Sequence, residues 1–176
     1  MVAPLFFEDL KVGDQWESSA RTVTETDVVN FACTTGDFDP LHMDHQFAAN
    51  TPFRKPIAHG LLGLSWVAGL GSHSPLISTL AFVKIKDWEF VKPIFFGDTL
   101  HVVNVVAELR PNGRKRGTVI WQRSLVNQAG TIVQQGFFET LVACRPNKAR
   151  NNTSLAEPVK PKRSSKKAGI PVRQEE

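Results

Sequence analysis

Apolar and polar positions along the chain change period once, and that change divides it. Thr24 stands where a helix should begin, with Asp27 three residues on completing a capping-box spacing. Val28, Phe31, Ala32 and Thr35 then fall at i, i+3, i+4 and i+7, the spacing of one inward helical face. Gly36 suits the left-handed end of that helix. Upstream, Gly13-Asp14 reads as a turn and Gln15 to Val23 as a strand. Downstream, residues 37–43 form a tight polar loop around Pro40, a short helix runs from Asp44 to Ala49, and residues 51–57, with Pro52 and Pro56, are extended or irregular. Ala58 to Leu70 is apolar on all sides except for its glycines and Ser65, which predicts a helix buried all round. Gly63 and Gly69 would let it pack closely on a sheet.

From residue 80 the period becomes two. Leu80 to Val91 is a strand whose apolar phase slips between Ile85 and Trp88, a bulge signal. Pro93 and Gly97-Asp98 turn the chain, and Thr99 to Leu109 alternates, with Val103, Val105, Ala107 and Leu109 on one face. Pro111-Asn112-Gly113 and Gln128-Ala129-Gly130 mark further turns around a strand at Thr118–Val126. Thr131–Cys144 closes the series, with a kink expected at Gly136. Strand, helices, one all-apolar helix and a four-strand meander together predict an α+β domain: a curved antiparallel sheet wrapped around a buried central helix, the hot-dog arrangement. Strands and helices do not alternate as a doubly wound fold requires.

Composition changes this picture mainly at the C-terminal end. The net charge of +4 hides an uneven split: residues 147–176 carry eight of the 21 Lys and Arg but three of the 17 Asp and Glu. Residues 5–146 therefore read as a nearly neutral domain, and 147–176 as a basic, solvated, disordered tail. No aromatic residue interleaves with the tail's charges, so a nucleic-acid partner is not expected. The start of the chain lacks the basic and apolar regions of a signal peptide, and Leu61–Leu70 is only about half a membrane span, so a cytoplasmic protein without a span is expected. Cys33 and Cys144 fit neither a disulfide framework nor a zinc site and are expected as buried apolar residues.

Chemistry concentrates in Phe31-Ala-Cys-Thr-Thr-Gly-Asp-Phe-Asp-Pro-Leu-His-Met-Asp44. Asp37 and His42, five residues apart around a proline-stiffened loop, could hold one small molecule such as water and exchange a proton near neutral pH. Taken singly, Asp37 and Asp39 read first as Asx-turn formers around Pro40, and His59 as a packed histidine. No third ligand accompanies Asp37 and His42 in a recognisable spacing, so neither metal nor cofactor is expected.

Phe31, Gly36, Asp37, Pro40, Leu41 and His42 resemble the signature of MaoC-like dehydratases and (R)-specific enoyl-CoA hydratases. Pro56-Ile-Ala-His-Gly60 resembles the start of the family's central helix, and Lys92-Pro93 followed by Gly97-Asp98-Thr99-Leu100 a turn common in it. The resemblance implies reversible hydration of a trans-2-enoyl thioester, on coenzyme A or an acyl carrier protein, to the (3R)-3-hydroxyacyl thioester. Asp37 and His42 match the catalytic pair, and the Gly60 N–H matches the donor that polarises the thioester carbonyl. Asp39 departs from the family's Asn: an ionised carboxylate only accepts hydrogen bonds, so Asp39, with Pro40 and His59, is read as supporting. Ser65 could line the pocket. Arg54, Lys55, Lys84, Lys86 and Lys92 are candidates for the nucleotide end of coenzyme A, with solvated surface charge the default for each. The family also implies pairing into a homodimer or higher oligomer. A thioesterase on the same fold and a non-catalytic acyl-thioester-binding protein are the alternatives.

Overall fold

Thr24 opens the first helix as its spacing predicts. In the computed structural model, which describes residues 3–146, its Oγ1 accepts the Asp27 N–H at 3.2 Å while Asp27 Oδ2 accepts the Thr24 N–H at 2.9 Å. The helix, α1, spans Glu25–Thr35 and ends at Gly36, whose φ of 80° is the left-handed conformation expected there. Val28 and Ala32 are buried and Phe31 half-buried, but Thr35 is exposed. The expected N-terminal strand is broken in two, β1 (Gln15–Glu17) and β2 (Arg21–Thr22). The tight loop after α1 is shorter than expected, because Pro40–Met43 makes a helical turn of its own, α2, and α3 follows at His45–Ala49. Pro40 at the first helical position, where its missing N–H costs nothing, is a reason for that turn.

The meander forms as read: β3 (Thr79–Phe90), β4 (Thr99–Pro111), β5 (Arg116–Val126) and β6 (Ile132–Ala143). All pairings are antiparallel, in the order β1-β4-β5-β6-β3, with β2 added beside β4. The central helix α4 (Gly60–Gly71) lies on this sheet, and Leu62, Trp66 and Val67 join Leu100, Val102, Val106, Val119, Trp121, Leu125, Phe138 and Val142 in one core. Sheet around helix is the predicted arrangement.

Three details differ. The helix is buried on its sheet side only: Leu61 is 59% exposed, and Ser65, Ala68 and Gly69 are exposed along the same stripe. Gly63 packs against Gln134 and Ile94 as expected, whereas Gly69 faces open space. On β4 the deeply buried set is Leu100, Val102, Asn104 and Val106, not the phase containing Val103 and Val105. Valines at 102, 103, 105 and 106 occupy both phases, so alternation of residue type alone does not choose a face. The β3 bulge is present, with register shifting between Lys86 and Glu89 and Asp87 at a φ of 48°. Gly136, in turn, does not kink β6: it pairs in register with Arg123. A side chain there would strike Trp88 and the Asp87 carbonyl, so its glycine makes room for the bulge across the sheet.

Cys33 is exposed and Cys144 half-buried, so neither is the buried apolar residue expected. Burial pushes the Arg123 guanidinium down to about 10; its Nη1 donates to the Val67 carbonyl at 3.4 Å, and it lies 4.6 Å from the Phe138 ring centre. No described helix is long and apolar enough to cross a membrane. The tail read at 147–176 lies outside the described residues.

Candidate active site

The turn α2 and the start of α4 bring Asp37, His42 and His59 close to one another, though Asp37 does not line the cavity that His42 and Gly60 share. Asp39 caps α2, its Oδ1 accepting the Leu41 N–H at 2.8 Å. This is the acceptor role that an Asn oxygen also fills, so the acid in place of the family's Asn keeps the turn. Pro40 begins α2 and His42 lies in its single turn, held by a bond from its N–H to the Asp39 carbonyl at 2.9 Å.

The His42 ring is half-buried, and its Nδ1 lies 2.8 Å from the Ile57 carbonyl oxygen. A carbonyl only accepts, so in the neutral ring Nδ1 carries the hydrogen and Nε2 is left as the base. The same logic applies to His59, 2% exposed, whose Nε2 donates to the Asp37 main-chain oxygen at 2.9 Å. The two imidazoles stack with centres 3.9 Å apart and planes tilted by 33°, and Phe31 packs on His59 at 5.1 Å. His59 thus backs the His42 ring and ties the loop that carries Asp37 to the head of α4. The Asp37 carboxylate is 53% exposed, 3.9 Å from His59 Nε2, with Oδ1 accepting the Asp39 N–H at 3.4 Å.

Asp37, His42 and His59 present ligand-type atoms within 4.8 Å of one another, a third group that sequence spacing did not reveal. Held as a donor to a carbonyl, however, His59 Nε2 has no lone pair to give a metal, and Nδ1 is buried with no hydrogen-bonding partner among the described residues. The donor set suits proton handling better than a metal.

His42 and Gly60 share the wall of a cavity of about 390 Å³, closed on other sides by Phe53, Phe90, Pro93 and Ile94. As the first residue of α4, Gly60 has an N–H with no intrahelical acceptor, at the positive end of the helix dipole. Of the basic candidates, Lys92 lines this cavity. Lys55 lies over the Phe95 ring at 4.3 Å, Lys84 pairs with Glu139 at 3.3 Å, Arg54 holds a left-handed turn with φ of 64°, and Lys86 is exposed on β3. Ser65 turns its hydroxyl back to the Leu62 carbonyl at 2.7 Å and is not among the residues walling the cavity. Gln134 on β6 lines it and was not singled out from the sequence; 74 residues from Gly60, it carries no local signal. A larger, more open groove of about 710 Å³, walled by Trp16, Glu17, His73 and Leu76, holds none of the expected residues.

Residues 10–128 match the MaoC like domain. The chain is 35% identical over 124 residues to the protein MaoC of Klebsiella aerogenes, covering 70% of itself but 35% of that protein, so it spans about a third of that relative's length. It is 30% identical over 141 residues to an (R)-specific enoyl-CoA hydratase of Rhodospirillum rubrum, covering 80% of this chain and 93% of that one. An Archaeoglobus crystal structure described as a monoamine oxidase regulatory protein superposes with a TM-score of 0.76 at 39% identity, over 81% of this chain and 97% of that one. A Mycobacterium tuberculosis protein with a double hot-dog fold superposes at 0.73 with 20% identity, over 82% and 46%, which shows the shared fold. With more than half of its length matching the domain, the chain belongs to the MaoC-like family.

Proposed function

We propose that the chain is a hydro-lyase that adds water reversibly across a trans-2-enoyl thioester to give the (3R)-3-hydroxyacyl thioester. What carries the reading is one juxtaposition: His42, with Nε2 left as acceptor, and Gly60, the first residue of α4, line the same cavity. Asp37 and His42 hold the water. The water oxygen attacks carbon 3 as the dyad takes its proton, the electron pair moves onto the thioester oxygen, and the Gly60 N–H stabilises that charge. Carbon 2 then takes a proton from the dyad, and dehydration runs the same steps backwards. Asp39, Pro40 and His59 support the dyad. Lys92 is the basic residue best placed for the substrate's phosphate-bearing arm. The named hydratase of Rhodospirillum rubrum supports coenzyme A as the carrier; a phosphopantetheine on a carrier protein would meet the same dyad.

We assign the activity to residues 5–146 and infer at least a homodimer. Strand β3 is an edge strand paired on one side by β6, and it exposes Leu80, Phe82, Val83 and Ile85. Such an apolar edge calls for a partner.

The test follows the conjugated absorbance of crotonyl-CoA and of a longer trans-2-enoyl-CoA with wild type, Asp37→Asn and His42→Ala. Loss of conjugation in wild type alone, with a 3R product by chiral analysis, supports the reading. Release of free thiol points to a thioesterase instead. Binding without turnover of either coenzyme A or carrier-protein thioesters points to a non-catalytic acyl binder.

A further inference from the structure

Gln134 places a carboxamide in the wall of the cavity that holds His42 and Gly60, and the side chain is only 2% exposed. Its Nε2 donates to the Gly60 carbonyl at 2.9 Å. Because a carbonyl only accepts, this bond fixes which end of the amide faces α4 and turns Oε1 away. Oε1 is buried and has no hydrogen-bonding partner among the described residues. A buried amide satisfied at one end is a poor way to fill a core, since a methionine would occupy similar space without stranding an acceptor. The surroundings are nonetheless shaped to admit it. A side chain at Gly63 would overlap the Gln134 amide and Ile94, so the helix presents a glycine there.

The bond acts at the first residue of α4, next to the His59 carbonyl that accepts the Leu62 N–H at 3.1 Å. Gly60 has no Cβ, and its N–H has no intrahelical acceptor to aim it. On one side of that N–H, His59 is anchored through its ring to the Asp37 main-chain oxygen. On the other, the Gly60 carbonyl is anchored to Gln134. The Phe90 ring closes against the Gly60 α-carbon, so that a Cβ there would meet it at 2.8 Å. Resting on the hydratase reading, we propose that Gln134 is a positioning residue, whose bond to the Gly60 carbonyl holds the Gly60 N–H in the direction needed by the developing thioester oxyanion.

The test uses the full chain with 15N-glycine labelling, and the variants Gln134→Met and Gln134→Glu. Methionine keeps the volume and removes the donor; glutamate keeps the shape but offers only acceptors when ionised. Gln134→Met should retain a thermal midpoint close to that of wild type, whereas Gln134→Glu, which buries an acid, should melt lower. In both, the Gly60 amide resonance should shift and broaden, and its hydrogen should exchange faster. With crotonyl-CoA, kcat should fall about 10- to 100-fold while KM stays within about 3-fold, the split expected when an interaction made in the transition state is misaimed. In a bound thioester labelled at the carbonyl carbon, the infrared C=O band should lie closer to its position in free substrate than it does on wild type.

Unchanged Gly60 resonances in both variants overturn the proposal whatever the activity. So does a kcat kept within about 3-fold of wild type, or a loss that follows KM or, in Gln134→Met, the thermal midpoint, which would mark a merely structural amide. If wild type hydrates no enoyl thioester while the Gly60 amide loosens in the variants, the hydratase reading falls and the anchoring of Gly60 stands.

Discussion

At the scale of single residues, the candidate site is a set of side chains whose roles follow from what each is already bonded to. His42 spends Nδ1 on the Ile57 carbonyl and keeps Nε2 for chemistry. His59, by contrast, spends Nε2 on the Asp37 backbone, and its Nδ1 is buried with no partner among the described residues, so its place is behind the His42 ring. His42→Ala should therefore lower kcat on crotonyl-CoA by about 10²- to 10⁴-fold, the usual worth of a positioned general base, and leave the thermal midpoint nearly unchanged. Asp37→Asn should behave alike; a steady-state assay beside a melting curve checks both. The contacts that define these roles join positions 15, 22 and 74 apart. Spacing around Pro40 makes the Asp37–His42 pair readable, but nothing local to Gln134 or Ile57 announces their part.

At the scale of elements, α1 shows local sequence and structure in agreement. Burial pushes the Asp27 carboxyl up, but hydrogen bonds from the Thr24 side chain and backbone, and the neighbouring Arg21 charge, outweigh this and hold it below the usual Asp value of 3.8. A carboxyl lowered on folding stabilises the fold above its unfolded value, and that contribution is lost as pH falls from 3.8 toward the native value. Thermal midpoints across the acid range should therefore decline in wild type and decline less in Asp27→Asn, which starts lower. Thr24→Ala should cost about 1 kcal/mol of unfolding free energy in urea, the common loss for a removed cap. The packing of α4 on the sheet is the tighter constraint. Gly63→Ala puts a methyl into the Gln134 amide and Ile94, and should destabilise by about 1–3 kcal/mol by denaturant titration.

At the scale of the whole molecule, apolar surfaces among the described residues are left uncovered in the single chain, notably the β3 edge and the α4 stripe that includes Leu61 and Ala68. Were the chain to act alone, both would be exposed to water, which is the condition that association relieves. Leu80→Asp together with Phe82→Asp on β3 should shift sedimentation from the assembled to the single-chain species at micromolar concentration. If the assembled species persists in this double variant, the β3 edge is not the contact.

The order of elements, the cap of α1, the bulge in β3 and the neighbourhood of Asp37 to His42 were determined by the sequence itself, because each rests on residues a few positions apart with strong backbone or periodic preferences. Gly36 ends α1, and Asp39-Pro40 starts α2, for reasons contained in those residues. The tertiary structure decided the rest. It chose which phase of β4 faces the core, since valines offer both, and left one side of the all-apolar helix uncovered. It also set His59 behind His42 and brought Gln134 from the last strand to the first residue of α4. Burial and long-range hydrogen bonding belong to the assembled sheet and its helix together, and no stretch of chain carries them alone.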